Sequence, residues 1–164
     1  MLKTNIYFGA PLFSESELMY NEFVVKQIRE KFGDSVAVYL PQENEAINDK
    51  SGYADSVMIA DGDTAYLEEA DVLVAVIDGQ TVDVGLATEI GIFYNTNRPI
   101  IAIYSDSRQG TFGNEDKIKA LDEIAESQFS YVNLYTVGII KKRGHIVRGY
   151  EEMLEALDSY IPKD

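Results

Sequence analysis

Cysteine is absent from the 164-residue chain, which excludes a disulfide framework and thiolate metal sites. Histidine occurs once, at His145, inside the basic run Lys141-Lys142-Arg143-Gly144-His145. That run reads as a solvated turn, and His145 is given no catalytic role. Cations are scarce as well, with 14 Lys and Arg against 28 Asp and Glu and a net charge of −14. The resulting field repels phosphate polymers and anionic membrane surfaces, which bind through clustered Lys and Arg. Neither nucleic acid nor a membrane is expected as a partner. An uncharged or weakly charged small molecule is tolerated, although the same acidity also serves plain solubility.

Long hydrophobic runs are missing, since no apolar stretch approaches the roughly 20 residues of a membrane span. The start, Met1-Leu2-Lys3-Thr4, enters an apolar run without a charged region or a small-residue cleavage site. No export signal is therefore read, and the cytoplasm is the expected location. Phosphate-cradling loops are lacking too. There is no G-x-x-x-x-G-K-[ST] and no G-x-G-x-x-G after the first strand, and Gly110-Thr111-Phe112-Gly113 is too short to substitute for either.

What is present is a regular alternation. Residues 5–9 read as a short buried strand, and Ser14 with Glu17 forms a capping box that opens a helix carried by Leu18, Phe23, Val24, Ile28 and Phe32 and stopped at Gly33. Residues 36–40 form a second strand ending at Pro41, and the polar residues 42–52 a loop. A helix follows over about 54–69, with Gly62 as a point of interruption. The continuous apolar run 72–77 fits a strand covered on both faces, at the centre of the sheet. Asp78-Gly79 marks a turn before a helix over 82–95. A strand over 99–104, a polar-faced helix over 115–127, a short strand at 131–134 and a closing helix over 149–160 complete the pattern. Strands alternating with helices predict a parallel sheet with right-handed crossovers. The expected fold is one α/β domain over residues 1–164, doubly wound in the flavodoxin or Rossmann manner around a parallel five-stranded sheet. A chain of this length buries roughly 70 % of its unfolded surface, enough for a real core.

In such sheets ligands bind outside the carboxyl ends of the strands, which directs attention to the segments after residues 9, 40, 77 and 104. Acids concentrate in the third, Asp78-Gly79-Gln80-Thr81-Val82-Asp83-Val84-Gly85-Leu86-Ala87-Thr88-Glu89-Ile90-Gly91. Asp83 falls where a helix begins, a favourable place for an anion. Glu89 lies among apolar and small residues, and pattern alone is evenly divided between an outward-facing side chain and an inward one. Gly85 and Gly91 favour a close approach of backbone or ligand. Asp61-Gly62-Asp63 adds two carboxylates before the central strand, and Tyr7 stands near the end of the first. Several acids with a tyrosine suit acid/base and carboxylate-nucleophile chemistry better than metal or triad chemistry. A Mg²⁺ site like that of a response regulator is the weaker alternative, because Asp61 and Asp63 precede the central strand instead of following it.

Taken together, Ile6-Tyr7-Phe8-Gly9-Ala10 with Phe13, an Asp at Asp63, and Asp83-Val84-Gly85 followed by Glu89-Ile90-Gly91 resemble the nucleoside 2-deoxyribosyltransferase family. The resemblance spans about residues 3–104, with Asn133 the one match beyond. It implies that Glu89 is the nucleophile, that Tyr7 orients it, and that Asp83 and Asp63 handle the base and its proton, Asp83 being the first candidate for the acid. It further implies substrate contacts at Gly9, Phe13 and Gly85, a base pocket along Gln42-Glu43-Asn44-Glu45, and a homo-oligomer in which Asn133 and Tyr135 reach the site of a neighbouring subunit. Many members carry an amide near Glu45, where this chain has an acid. The expected substrates are a 2-deoxyribonucleoside and a free nucleobase, with no cofactor and no metal.

The chemistry stands on its own. A 2-deoxyribosyl centre lacks the electron-withdrawing 2-hydroxyl and readily becomes oxocarbenium-like, so a carboxylate opposite the base can displace it and hold the sugar with retention. Hydrolysis of deoxynucleosides or their monophosphates is the alternative, and a non-catalytic nucleotide-binding module is a third. The apolar loop Pro11-Leu12-Phe13 suits a neutral 5'-hydroxyl better than a 5'-phosphate.

Overall fold

Along β1 (Thr4–Gly9) the side chains divide between two apolar layers. Ile6 and Phe8 join a cluster with Val24, Val25 and Ile28 of α1 (Glu15–Phe32) and Met153 and Leu157 of α7 (Tyr150–Asp158). Tyr7 points the other way, into a cluster with Leu67 of α3 (Ser56–Glu69), Leu86, Ile90 and Phe93 of α4 (Val84–Tyr94) and Ile140 of α6 (Leu134–Arg143). The period of two along a strand makes that division. The computed structural model that shows it describes residues 3–48, 52–127, 129 and 131–163. Met1 and Leu2, read above for an export signal, and residues 49–51 of the expected 42–52 loop lie outside them.

The sheet is wholly parallel, in the order β2-β1-β3-β4-β5, with β2 at Val36–Tyr39, β3 at Val72–Val76, β4 at Ile100–Ile103 and β5 at Gly144–Val147. β3 is buried at every position, as its uninterrupted apolar run predicts. Each such fully buried aliphatic side chain contributes about 1.5–3 kcal/mol, which makes β1, β3 and β4 the thermodynamic centre of the molecule. Strand order reverses at β1 and β3, so the crevice expected at a topological switch point opens above their carboxyl ends.

Local chemistry explains the helix boundaries. The Ser14 hydroxyl accepts from the Glu17 N–H while the Glu17 carboxylate accepts from the Ser14 N–H, and α1 ends at Gly33, whose φ of 50° is costly for other residues. Gly62 does not interrupt α3. A Cβ there would lie 3.3 Å from Ile47 Cδ1, so the glycine admits the short helix α2 (Glu45–Asn48), which forms inside the segment expected to be a loop.

Three expectations fail beyond residue 104. The strand expected at 131–134 is absent. Asn133 instead caps α6, its Oδ1 accepting from the Tyr135 and Thr136 N–H groups at 3.0 and 3.3 Å. The fifth strand lies at Gly144–Val147, in the segment read as a solvated turn, and His145 sits in it opposite Ile101. Gly144 makes the pairing possible, because a Cβ there would collide with the Ile100 carbonyl. The helix expected over 115–127 shrinks to α5 (Glu115–Lys119) and a 3₁₀ turn at Ala120–Asp122, neither with a buried residue to anchor more turns.

Candidate active site

α4 brings the central acid to the crevice. Asp83 caps the helix, its Oδ2 accepting from the Leu86 N–H at 2.9 Å. Leu86, Ile90 and Phe93 are buried, and Glu89 shares their side of the helix. It therefore faces inward, across the end of β1. There the Tyr7 hydroxyl donates to Glu89 Oε1 at 2.7 Å. A Cβ on Gly9 would lie 2.9 Å from Glu89 Oε2 and 2.7 Å from Leu86 Cδ1, so the missing side chain at the end of β1 is the space the carboxylate occupies.

Burial lifts the Glu89 carboxyl to about 7, against the Tyr7 hydrogen bond, which favours the anion; the charges of Asp63 and Asp83 add to the rise. Tyr7, wholly buried, is driven far above the ordinary phenol range by burial first and by the Glu89 charge second. It stays a donor. Asp63 on α3 is also raised by burial, partly offset by the Tyr39 hydroxyl that donates to its Oδ1 at 3.0 Å.

Asp63, Asp83, Gly85 and Glu89 line one cleft of about 350 Å³, walled by Ala10, Leu12, Phe13, Pro41, Ile47, Ile59 and Leu86. Three carboxylates in an apolar enclosure can hold a neutral polyol, present one anion as a nucleophile and keep another acid protonated. Among the described residues no group of three or more His, Cys, Asp and Glu side chains is arranged to hold a metal ion.

The remaining expected site residues fall elsewhere. Glu43, Asn44 and Glu45 line a neighbouring hollow with Tyr39 and Tyr66 instead of the cleft around Glu89. Glu43 is clasped by Arg29 through two hydrogen bonds of 2.8 and 2.7 Å, which hold its carboxyl below the usual range. From this loop Pro41 and Ile47 reach the cleft. Asn133 and Tyr135 stand at the exposed start of α6, with Tyr135 79 % exposed. Asp61 is exposed on α3. Sequence reasoning passed over Tyr39, whose signal was an aromatic residue at the carboxyl end of a strand in an α/β sheet.

A family model described as nucleoside 2-deoxyribosyltransferase matches residues 6–130. Among curated proteins none matches the chain. A solved structure described as a conserved protein from Enterococcus faecalis V583 is 51 % identical, covers 98 % of this chain and 100 % of its own, and superposes with a TM-score of 0.91. The 2-deoxyribosyltransferase of Bacillus psychrosaccharolyticus shares the fold at 18 % identity, with a TM-score of 0.60 and 98 % of each chain covered. A CMP N-glycosidase of Clostridium botulinum shares it at 18 % identity and a TM-score of 0.53, over 96 % of this chain and 100 % of that one. No helix among the described residues is long and apolar enough to cross a membrane.

Proposed function

The chain belongs to the nucleoside 2-deoxyribosyltransferase family, and from that premise we propose that it moves the 2-deoxyribosyl group between nucleobases through a glycosyl ester on Glu89. The observation that carries this reading is the Glu89 carboxylate, turned into the cleft, fixed by Tyr7 and facing the notch at Gly9. A carboxylate oxygen attacks C1' on the face opposite the base. The C1'–N bond breaks, its electron pair passes to the base nitrogen, and a neighbouring acid protonates the departing base. A second base then attacks C1' through a ring nitrogen, the ester bond returns its electron pair to Glu89, and the incoming N–H proton restores the acid. Two displacements give retention.

For the proton we favour Asp63 over Asp83, which reverses the order expected from sequence. Burial raises the Asp63 carboxyl above the ordinary carboxylate value, and Asp83 is committed through one oxygen to the α4 cap. Asp83 and Gly85 then serve the sugar. Leu12 and Phe13 in an acidic protein support a neutral 5'-hydroxyl, hence a nucleoside and not a nucleotide. We further propose a cytoplasmic homo-oligomer in which Asn133 and Tyr135 complete a partner's site, a reading supported by the exposure of Leu134 and Tyr135.

The test is to mix a deoxynucleoside with a different free base and separate the products by chromatography. The exchanged nucleoside is expected, and a 2-fluoro-2-deoxyarabinosyl nucleoside should label Glu89, located by peptide mass spectrometry. Base release without any dependence on an acceptor would assign a hydrolase instead, binding without turnover a non-catalytic module, and label on Asp83 would overturn the nucleophile.

A further inference from the structure

Tyr39 has no part in the mechanism above, yet its surroundings fix it at both ends. It is the last residue of β2 and lies opposite Tyr7 in the parallel pairing, so both rings project to the same side of the sheet. Its ring stacks on Tyr66 of α3, with centroids 3.8 Å and planes 11° apart, and tilts against Tyr7 at 5.3 Å and 43°. Tyr66 lies three residues after Asp63, on the same face of α3. One helix therefore holds the ring and receives the hydroxyl.

The hydrogen bonds around that hydroxyl run in one direction. Asn44 Nδ2 donates to the Tyr39 oxygen at 3.1 Å, and the Tyr39 proton goes to Asp63 Oδ1 at 3.0 Å. In a protonated carboxyl the carbonyl oxygen is the better acceptor, so the bond from Tyr39 favours the proton on the other Asp63 oxygen. The chain Asn44 to Tyr39 to Asp63 thus distinguishes the two oxygens of a carboxyl that lines the cleft.

We propose that Tyr39 is a positioning residue for cleavage of the N-glycosidic bond, assigning the transferable proton of Asp63 to Oδ2 and steadying the carboxylate once that proton has gone. This rests on the transfer reading above. In the step concerned, Glu89 forms its bond to C1', the C1'–N pair moves onto the base, and the Oδ2 proton follows to a base nitrogen. Asp63 becomes an anion as this happens, and its bond from Tyr39 becomes charge-assisted and shorter. The gain falls in the transition state and not in substrate binding, so it enters kcat.

Such a role depends on the leaving group. A 7-methylated purine base is cationic in the nucleoside and departs neutral without a proton, whereas deoxyguanosine needs one. The first half-reaction, release of the base in a single turnover without an acceptor, is therefore to be measured on deoxyguanosine and 7-methyl-2'-deoxyguanosine with the wild type, Tyr39→Phe, Asp63→Asn and the double variant. Tyr39→Phe keeps the ring and its two aromatic contacts. It is expected to lower the rate of base release from deoxyguanosine by on the order of 10- to 100-fold, the range for one hydrogen bond that strengthens at the transition state. On the methylated substrate that rate should stay within about threefold, because cleavage of its glycosidic bond involves no proton transfer to be assisted. Asp63→Asn should show the same substrate dependence, and adding Tyr39→Phe to it should cost nothing further.

Equal losses on both substrates would reduce Tyr39 to a structural role and overturn the proposal, as would unchanged rates on both or additive losses in the double variant. If the wild type releases base from neither substrate, and exchanges no other deoxynucleoside in the test above, the deoxyribosyl reading itself fails. That outcome is visible before any substitution is made.

Discussion

In residues 4–103 the strands, with α1, α3 and α4, supply most of both apolar layers, and every carboxylate of the cleft belongs to this stretch. Residues 104–139 differ in kind: among those described none is buried, while Phe112, Ile118, Leu121, Ile124, Tyr131, Leu134 and Tyr135 are exposed, Ile124 at 98 % and Leu134 at 83 %. Geometry good to a fraction of an ångström needs a packed frame, and the first region provides one. The second leaves apolar surface on offer, as a contact between copies requires. The carboxylates of the cleft thus lie in the packed stretch, and the proposed contact between copies falls in the exposed one.

The sharpest way to break that division is Glu89→Ala. Exchange should fall by on the order of 10⁴-fold or more with the melting curve still cooperative, and retained exchange would move the nucleophile elsewhere. Next in size is Gly9→Ala, which drives a methyl against Leu86 and the Glu89 carboxylate. Displacing the proposed nucleophile by a fraction of an ångström should lower kcat by on the order of 100-fold. A thermal melt run in parallel is expected to show far less than a matching loss of stability.

Smaller, and with a defined sign, is the response to pH. In the proposed reaction Glu89 attacks as an anion, so exchange should rise as pH passes about 7. Tyr7→Phe removes a bond that favours the anion; the rising limb should move to higher pH and the rate fall by about tenfold. Stability should run the opposite way. The folded-state value of Glu89 is raised above the ordinary 4.5, so its contribution is complete below that value and is lost as pH climbs through about 7. Denaturant titrations at pH 8 are expected to find Glu89→Gln more stable than the wild type by on the order of 1–3 kcal/mol. A variant less stable at pH 8 would contradict the burial argument. Smallest in energy is a double Ile124→Ser, Leu134→Ser change, worth within about 0.5 kcal/mol to a single chain. Its expected reading is a shift of sedimentation toward the monomer, and an unchanged mass would break the assignment of association to residues 104–139.

How far the molecule could be read in advance follows the same boundary. α1 announced itself because its capping box is local, and β3 because a strand covered on both faces needs an unbroken apolar run. Tyr7, Asp63, Asp83 and Glu89 could be picked out by a motif, although pattern alone left the direction of Glu89 open; the burial of Leu86, Ile90 and Phe93 beside it turns it inward. β5 was hidden by its composition, a glycine and a histidine after three cations, in an edge strand that needs less apolar surface. Tyr131-Val132-Asn133-Leu134 looked like a strand because two apolar residues precede the cap, and the Asn133 side chain decides the matter by taking two N–H groups. Glu43 was assigned to the base pocket without sight of Arg29, 14 positions away. Tyr39 depends on three elements meeting, which no local pattern records.

The facing of Tyr7 and Tyr39 across β1 and β2 has one more consequence. Sliding β1 by a single residue would exchange Tyr7 for Ile6 or Phe8 and turn the notch at Gly9 away from α4. A chain threaded so could stay soluble and rich in helix while doing nothing. Under the proposed function, turnover per molecule is therefore a census of correctly threaded chains, and selection for catalysis doubles as proofreading of the fold.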